Sequence, residues 1–199
     1  MTPHYFSQHQ TSSYREQEFS AVLHGNTLTF LTASGVFSLK KIDKGSALLI
    51  EYSQIPEQAK TILDLGCGYG AVGIALAKAF PEKEVLMNDV NERAVFLCQK
   101  NIKKNNLENA KVVISDGFEK INKNFDVILL NPPQTAGKKV CEKLMEESFH
   151  HLNEKGTLQI VARHQKGGKS LSEHMKNVFG NLDILAKGGG YRVYISKKE

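Results

Sequence analysis

Tryptophan is absent from this 199-residue chain, cysteine occurs three times and proline five. Cys67, Cys98 and Cys141 are odd in number and widely spaced, which excludes a disulfide framework and any zinc-binding pattern. They read as reduced thiols, and the seven histidines show no metal-ligand spacing, so no metal is expected. No apolar run approaches the ~20 residues that a membrane span requires. The opening Met1-Thr2-Pro3-His4-Tyr5-Phe6 has neither the basic nor the apolar region of a secretory leader, so the expected location is the cytoplasm. Hydrophobic residues at 41% and charged residues at 24% exclude a collagen, a coiled coil and a disordered chain. What remains is a globular protein large enough to bury a core.

Charge is unevenly placed. Lys and Arg number 26 against 21 Asp and Glu, for a net +5. Up to Gly137 the two signs balance, and the whole excess lies from Lys138 onward. Such asymmetry fits a polyanionic partner held by one region, although charge alone is equally consistent with a lysine-rich solvated surface.

From Thr61 the chain alternates short apolar runs with helical patterns. Strands are predicted over 61–64, 84–88, 111–115, 125–130, 157–162, 182–186 and 191–196. Helices are predicted from Val72, over 91–105, over about 136–152 and over 170–179. Strands alternating with helices make a parallel sheet covered on both faces. The last two strands are joined by only Lys187-Gly188-Gly189-Gly190, too short for a parallel crossover, so they form an antiparallel hairpin. The expected fold is α/β and Rossmann-like: seven strands, mostly parallel, with one reversed strand at the end. Residues 1–55 read as a β/α extension packed on a core domain of residues 56–199, with a hairpin turn at Gly25-Asn26 and a helix starting near Asp43 or Ser46.

Asp64-Leu65-Gly66-Cys67-Gly68-Tyr69-Gly70 joins the first core strand to its helix. Its glycines allow a tight turn and close approach of backbone N–H groups to a ligand at a helix N-terminus. In an open parallel sheet that position is where ligands bind. Asp89, followed by Val90, ends the second core strand and can accept from both hydroxyls of a ribose. Asp116-Gly117 follows the third strand and can accept from an adenine amino group, with Phe118 or a neighbour against the ring. Gly68, Gly70 and Gly73 also satisfy the dinucleotide pattern G-x-G-x-x-G. Asp64 opposes a pyrophosphate at that loop, whereas it suits the cationic amino and sulfonium groups of S-adenosylmethionine.

The fourth strand runs into Asn131-Pro132-Pro133. Two prolines stiffen the backbone around a polar amide. The Asn131 side-chain oxygen and the Pro132 carbonyl can each accept from one hydrogen of an exocyclic amino group, aiming its lone pair at a methyl carbon.

Asp64-x-Gly66-x-Gly68-x-Gly70, Asp89, Ser115-Asp116 and Asn131-Pro132-Pro133 at four successive strand ends resemble class I S-adenosylmethionine-dependent N-methyltransferases. With Gly35-Val36-Phe37-Ser38 and Ile42-Asp43-Lys44-Gly45, the chain is similar to the small-subunit ribosomal RNA guanine-N2 methyltransferases, the methyltransferase small domain. The resemblance implies S-adenosylmethionine as cofactor, held by Asp64, Gly66, Cys67, Gly68, Gly70, Asp89, Val90, Asp116, Gly117 and Asn131. It implies transfer at Asn131, Pro132 and Pro133 to a guanine amino group of 16S ribosomal RNA. Two departures stand out: Gln134 replaces the aromatic residue that often follows the prolines, and Ala33 stands where relatives often carry an acid. Stacking on the base then falls to Phe37 or Tyr69. Larger relatives carry a duplicated N-terminal half, which is lacking here, and the chain is expected to act as a monomer or homodimer.

The cationic residues Arg163, Lys166, Lys169, Lys187 and Arg192 are predicted to lie on the same rim as Asn131, in part on a flexible loop 164–169, and to hold RNA phosphates. Methylation of a protein glutamine amide, methylation of DNA adenine, a nicotinamide-dependent oxidoreductase and a non-catalytic nucleic-acid module are the competing readings. The oxidoreductase lacks a convincing Ser-Tyr-Lys or His-Asp set, and the binding module leaves Asn131-Pro132-Pro133 unexplained.

Overall fold

The structure is a computed structural model and describes residues 15–36, 38, 41–133 and 136–199. Strands β1 (Glu16–Leu23) and β2 (Asn26–Ala33) form an N-terminal hairpin. Its turn is His24-Gly25, one residue earlier than the sequence suggested; φ is +48° and +74° there, the doubly left-handed geometry that matches strand twist. Helix α1 (Lys44–Tyr52) follows. The core then runs β3 (Thr61–Leu65), α2 (Ala71–Ala79), β4 (Glu84–Asp89), α3 (Glu92–Lys104), β5 (Ala110–Ile114) and β6 (Phe125–Leu130). It closes with α4 (Lys138–His150), β7 (Leu152–Arg163), α5 (Lys169–Phe179), β8 (Asp183–Gly188) and β9 (Tyr191–Lys197).

The seven core strands pair in the order β5-β4-β3-β6-β7-β9-β8. Only β9 is reversed, antiparallel to both β7 and β8. The expected hairpin is present, but its reversed strand lies inside the sheet, between β7 and β8, instead of on the edge. Sequence adjacency fixes that β8 and β9 pair; it does not say which of them faces β7. The buried, apolar run of β9, with Val193, Tyr194 and Ser196 buried, suits the inner position, whereas β8 is half-buried or exposed throughout. Strand β7 starts earlier than predicted, at Leu152, and the preceding helix is shorter, ending at His150.

Two cores flank the sheet. On one face α1, α2, α3 and the hairpin share a single apolar cluster that includes Phe30, Leu49, Ile74, Leu76 and Leu97. On the other, α4 and α5 bury Met145, Leu171, Met175 and Phe179 against Ile128, Leu158 and Ile160. Helix α2 is buried at every residue from Ala71 to Ala77, beyond the single apolar face that its periodicity suggests. It is covered by the sheet on one side and by α1 and β2 on the other, which is why an all-apolar helix suits it.

Asparagines attach the hairpin to the core. The Asn101 amide accepts from Leu31 N (2.7 Å) and donates to the carbonyls of Leu31 and Tyr69 (2.9 Å each). One turn later, Asn105 accepts from Thr29 N (3.0 Å) and donates to Thr29 O (2.8 Å). Two side chains of α3 thus act on alternate residues of β2 as a neighbouring strand would. Among the described residues no helix is long and apolar enough to cross a membrane.

Candidate active site

The carboxyl ends of β3, β4, β5 and β6 open into one cleft of about 330 Å³. A cavity of this size suits a nucleoside-sized molecule. Asp64, Gly66, Cys67, Gly68, Asp89, Val90, Asp116, Gly117, Asn131, Pro132 and Pro133 all line it. Gly70 stands just behind as the residue before α2. The four strand ends therefore bring together nearly all the predicted binding residues.

The loop after β3 needs its glycines: φ is +71° at Gly66, +58° at Gly68 and +95° at Gly70, all in the left-handed region that side chains disfavour. At Gly70 a Cβ would also stand 2.6 Å from the Cys98 sulfur. Further along, a Cβ on Gly73 would meet the buried Met87 side chain at 2.4 Å, so this glycine lets α2 approach β4 closely.

Both acids are more engaged than sequence reasoning foresaw. Asp64 is buried and accepts from Gly73 N at 2.8 Å. Burial pushes its carboxyl up to about 7, the Gly73 N–H pulls it down, and the neighbouring Asp89 charge pushes it up again. Asp89 accepts from Gly68 N and Asn91 N, each at 2.8 Å, and so joins the glycine loop to the cap of α3. Burial raises its carboxyl, opposed by these N–H groups and that of Val90. Burial leaves both carboxyls without a cationic partner, so a positive group brought beside them would favour their ionised forms. One further acceptor waits in the cleft: Asn88 Oδ1 is buried and has no hydrogen-bond partner, while its amide nitrogen donates to Gly117 O at 2.9 Å.

The far wall comes from α4, through Val140 and Leu144, which the sequence did not single out. Phe118, expected near an adenine ring, is instead buried in the opposite core and stacked on His151, with ring centroids 4.2 Å apart. Tyr69 cannot stack on a base at the mouth as it stands: it is 3% exposed and packs edge-on against Phe19 and Phe30. The other residue proposed for stacking, Phe37, and the departing Gln134 lie outside the described residues.

Asn131 is held from the N-terminal extension. Its amide nitrogen donates to Asp43 Oδ2 at 3.2 Å and to Ser46 Oγ at 3.0 Å. Both residues line the cleft and belong to the start of α1, where Asp43 is the N-cap and accepts from Ser46 N at 3.0 Å.

The cationic residues gather beside the cleft, not in its lining. Strand pairing sets Arg163 opposite Tyr191, and Arg192 opposite both Ala162 and Lys187. Arg163 is exposed and its guanidinium lies over the Tyr191 ring, 5.4 Å from the centroid. Since Leu130 pairs with Ile160, Arg163 stands three residues, about 10 Å, beyond the end of β6. The segment after it, His164–Gly168, is a kinked turn in which Lys166 and Gly167 leave helical geometry, with Gly167 at φ +91°. It is anchored by His164 N donating to Gly190 O at 3.0 Å, and Lys169 opens α5 directly afterwards. Partial desolvation holds the His164 imidazole below its usual range, and the nearby charges of Arg192, Lys169 and Lys187 act in the same direction.

A family model described as methyltransferase small domain matches residues 27–195. Over the full length of both chains, the sequence is 40% identical to the Bacillus subtilis protein YbxB. It is 35% identical to ribosomal RNA small subunit methyltransferase C of Shewanella denitrificans over 83% of this chain and 47% of the relative. The T. thermophilus 16S rRNA N2 G1207 methyltransferase (RsmC), solved in complex with AdoMet and guanosine, superposes with a TM-score of 0.81 at 29% identity, covering 96% of this chain and 52% of that one. The chain thus spans about half the length of the ribosomal RNA methyltransferases it matches.

Proposed function

Because the chain belongs to the methyltransferase small domain family, we propose that it is an S-adenosylmethionine-dependent methyltransferase that modifies the N2 amino group of a guanine in small-subunit ribosomal RNA. The observation that carries this reading is the convergence of Asp64, Asp89, Asp116 and Asn131-Pro132-Pro133 on one cleft. The Shewanella denitrificans relative and the T. thermophilus structure are named as ribosomal RNA methyltransferases, which supports the choice of substrate.

The donor set suits that cofactor. Asp64, buried without a cationic partner, would hold its α-amino group, and Asp89 would accept from the ribose hydroxyls. Asp116 would accept from the adenine amino group, with Val140 and Leu144 as apolar wall of the same cleft. A dinucleotide pyrophosphate at the glycine loop would instead face the Asp64 carboxyl, which argues against an oxidoreductase. S-adenosylmethionine, when bound, supplies a methyl group on a sulfonium centre.

Asn131 Oδ1 and the Pro132 carbonyl accept the two amino hydrogens of the target, which draws the nitrogen lone pair out of conjugation and aims it. The amino nitrogen so held would take the methyl group that S-adenosylmethionine supplies, its sulfonium sulfur keeping the electrons of the bond it loses. The methylated nitrogen then gives its proton to water, so no strong base is needed in the protein.

Methyl-labelled S-adenosylmethionine, incubated with ribosomal RNA and with small subunits from cells lacking this protein, tests the reading. Label removed by nuclease and mapped to guanine N2 supports it. Label removed only by protease establishes amide methylation instead.

The rim makes a separate prediction. Arg163→Ala combined with Lys187→Ala should weaken RNA binding and lower the slope of log affinity against log salt by about 1.5, the share of two phosphate contacts. Filter binding across a salt series measures this, and calorimetry should find cofactor affinity unchanged.

A further inference from the structure

We propose that Asp43 and Ser46 are positioning residues that fix the polarity of the Asn131 carboxamide, so that its oxygen alone faces the substrate and the site selects acceptors bearing N–H donors. This rests on the reading that Asn131 holds the target amino group, and adds what holds Asn131.

An asparagine side chain has an oxygen that only accepts and a nitrogen that only donates, and a half-turn about its last bond exchanges them. With the nitrogen outward, the site would present a donor and favour a carbonyl or a hydroxyl lone pair over an amino group. The orientation is decided by the partners. As a carboxylate, Asp43 can only accept; its Oδ2 already receives Ser46 N at 3.0 Å and takes the Asn131 amide hydrogen at 3.2 Å. Flipping Asn131 would set its oxygen against that carboxylate oxygen, losing a charge-assisted bond and placing two acceptors in contact. Ser46 Oγ, at 3.0 Å from the same nitrogen and largely buried, completes the pocket for the NH₂ group.

The surroundings keep Asp43 in place. A Cβ on Gly45 would lie 2.9 Å from Asp43 Oδ2 and 3.0 Å from the Tyr191 ring, so the missing side chain makes room for both. The helix cap and the asparagine lock share one carboxylate oxygen. The start of α1 is therefore where the N-terminal extension meets the chemistry.

Asp43→Asn keeps the shared acceptor oxygen, since asparagine caps a helix as well as aspartate does, and removes only the charge behind it. With labelled S-adenosylmethionine and ribosomal RNA from cells lacking the protein, turnover at saturating substrate should fall roughly five- to tenfold, the rate equivalent of reducing a charge-assisted hydrogen bond to a neutral one. Cofactor affinity and melting midpoint should stay near those of the parent. Asn131→Asp alone sets two carboxylates together and should be nearly inactive. Adding Asp43→Asn removes one of the two opposed charges and should recover at least tenfold, a coupling that a purely structural role does not produce. Full turnover in Asp43→Asn, no recovery in the pair, or a loss matched by lower melting and weaker cofactor binding would each overturn the proposal. If Asn131→Ala itself remained active, the underlying reading would fail; if only Asp43→Asn did, the reading would stand without the lock.

Discussion

Asn131→Ala should lower the rate of methyl transfer by about a thousandfold or more while changing cofactor affinity by no more than about threefold. The size follows from the role: removing one preorganised partner of the reacting group typically costs a factor of 10² to 10³, and here the lost oxygen also aims the lone pair. The selectivity follows from position. Asn131 follows the end of β6, and its amide is held by Asp43 and Ser46, not by the acids of β3 and β4. Folding should be little disturbed, since Asp43 keeps its bond to Ser46 N as helix cap. Single-turnover transfer and calorimetric titration with S-adenosylmethionine, made on the same preparation, check the two halves. A rate within tenfold of the parent would remove Asn131 from the chemistry.

Asp64→Asn should move two properties in opposite directions. Without its charge, the residue loses its attraction for the α-amino group, and cofactor affinity should fall about a hundredfold, in the range seen when one member of a buried charge pair is removed. The protein without cofactor should become more stable at pH 8. The folded-state pKa of Asp64 is raised to about 7, above the ~3.9 of an unfolded chain. Between those values the folded state keeps a proton that the unfolded state has lost, so stability falls as pH rises through that window. Asparagine removes this penalty, by up to about 4 kcal/mol at pH 8, and its oxygen can still accept from Gly73 N. Thermal melts of both proteins from pH 4 to pH 8 should meet at the acid end and diverge upward. Some slope should survive in the variant, because Asp89 is displaced in the same direction. Parallel curves, or unchanged cofactor affinity, would show that Asp64 is not the cationic subsite.

Much of this was legible in the sequence wherever the deciding contacts are local. Ile62–Leu65 and Val127–Leu130 read as central strands because both faces are buried, leaving near-continuous apolar runs. The glycine loop was legible from backbone geometry, and the β8–β9 pairing from the shortness of its connection. Contacts between distant residues were not. Asp43 carries the local signature of a helix cap and serves as one, while its second partner, Asn131, is 88 positions away. Val140 and Leu144 read as one edge of an amphipathic helix, with nothing to mark them as cleft wall. Phe118 and Tyr69 sit in or beside binding motifs, yet their rings turn into the protein, where aromatic area is better used.

The asparagine clasp on β2 also sets an order in time. Residues 16–33 leave the ribosome before the residues that receive them, since Asn101 and Asn105 are made some seventy positions later. At 5–20 residues per second that is a delay of about four to fourteen seconds. For that interval Phe30 and Leu28 lack α3, and until residue 79 is made they lack α2 as well. A two-stranded hairpin is barely stable in water by itself, so it docks only once α3 exists. A segment made early thus settles late, after α3, and Asp43 of the helix that follows it meets Asn131 only once residue 131 has been made.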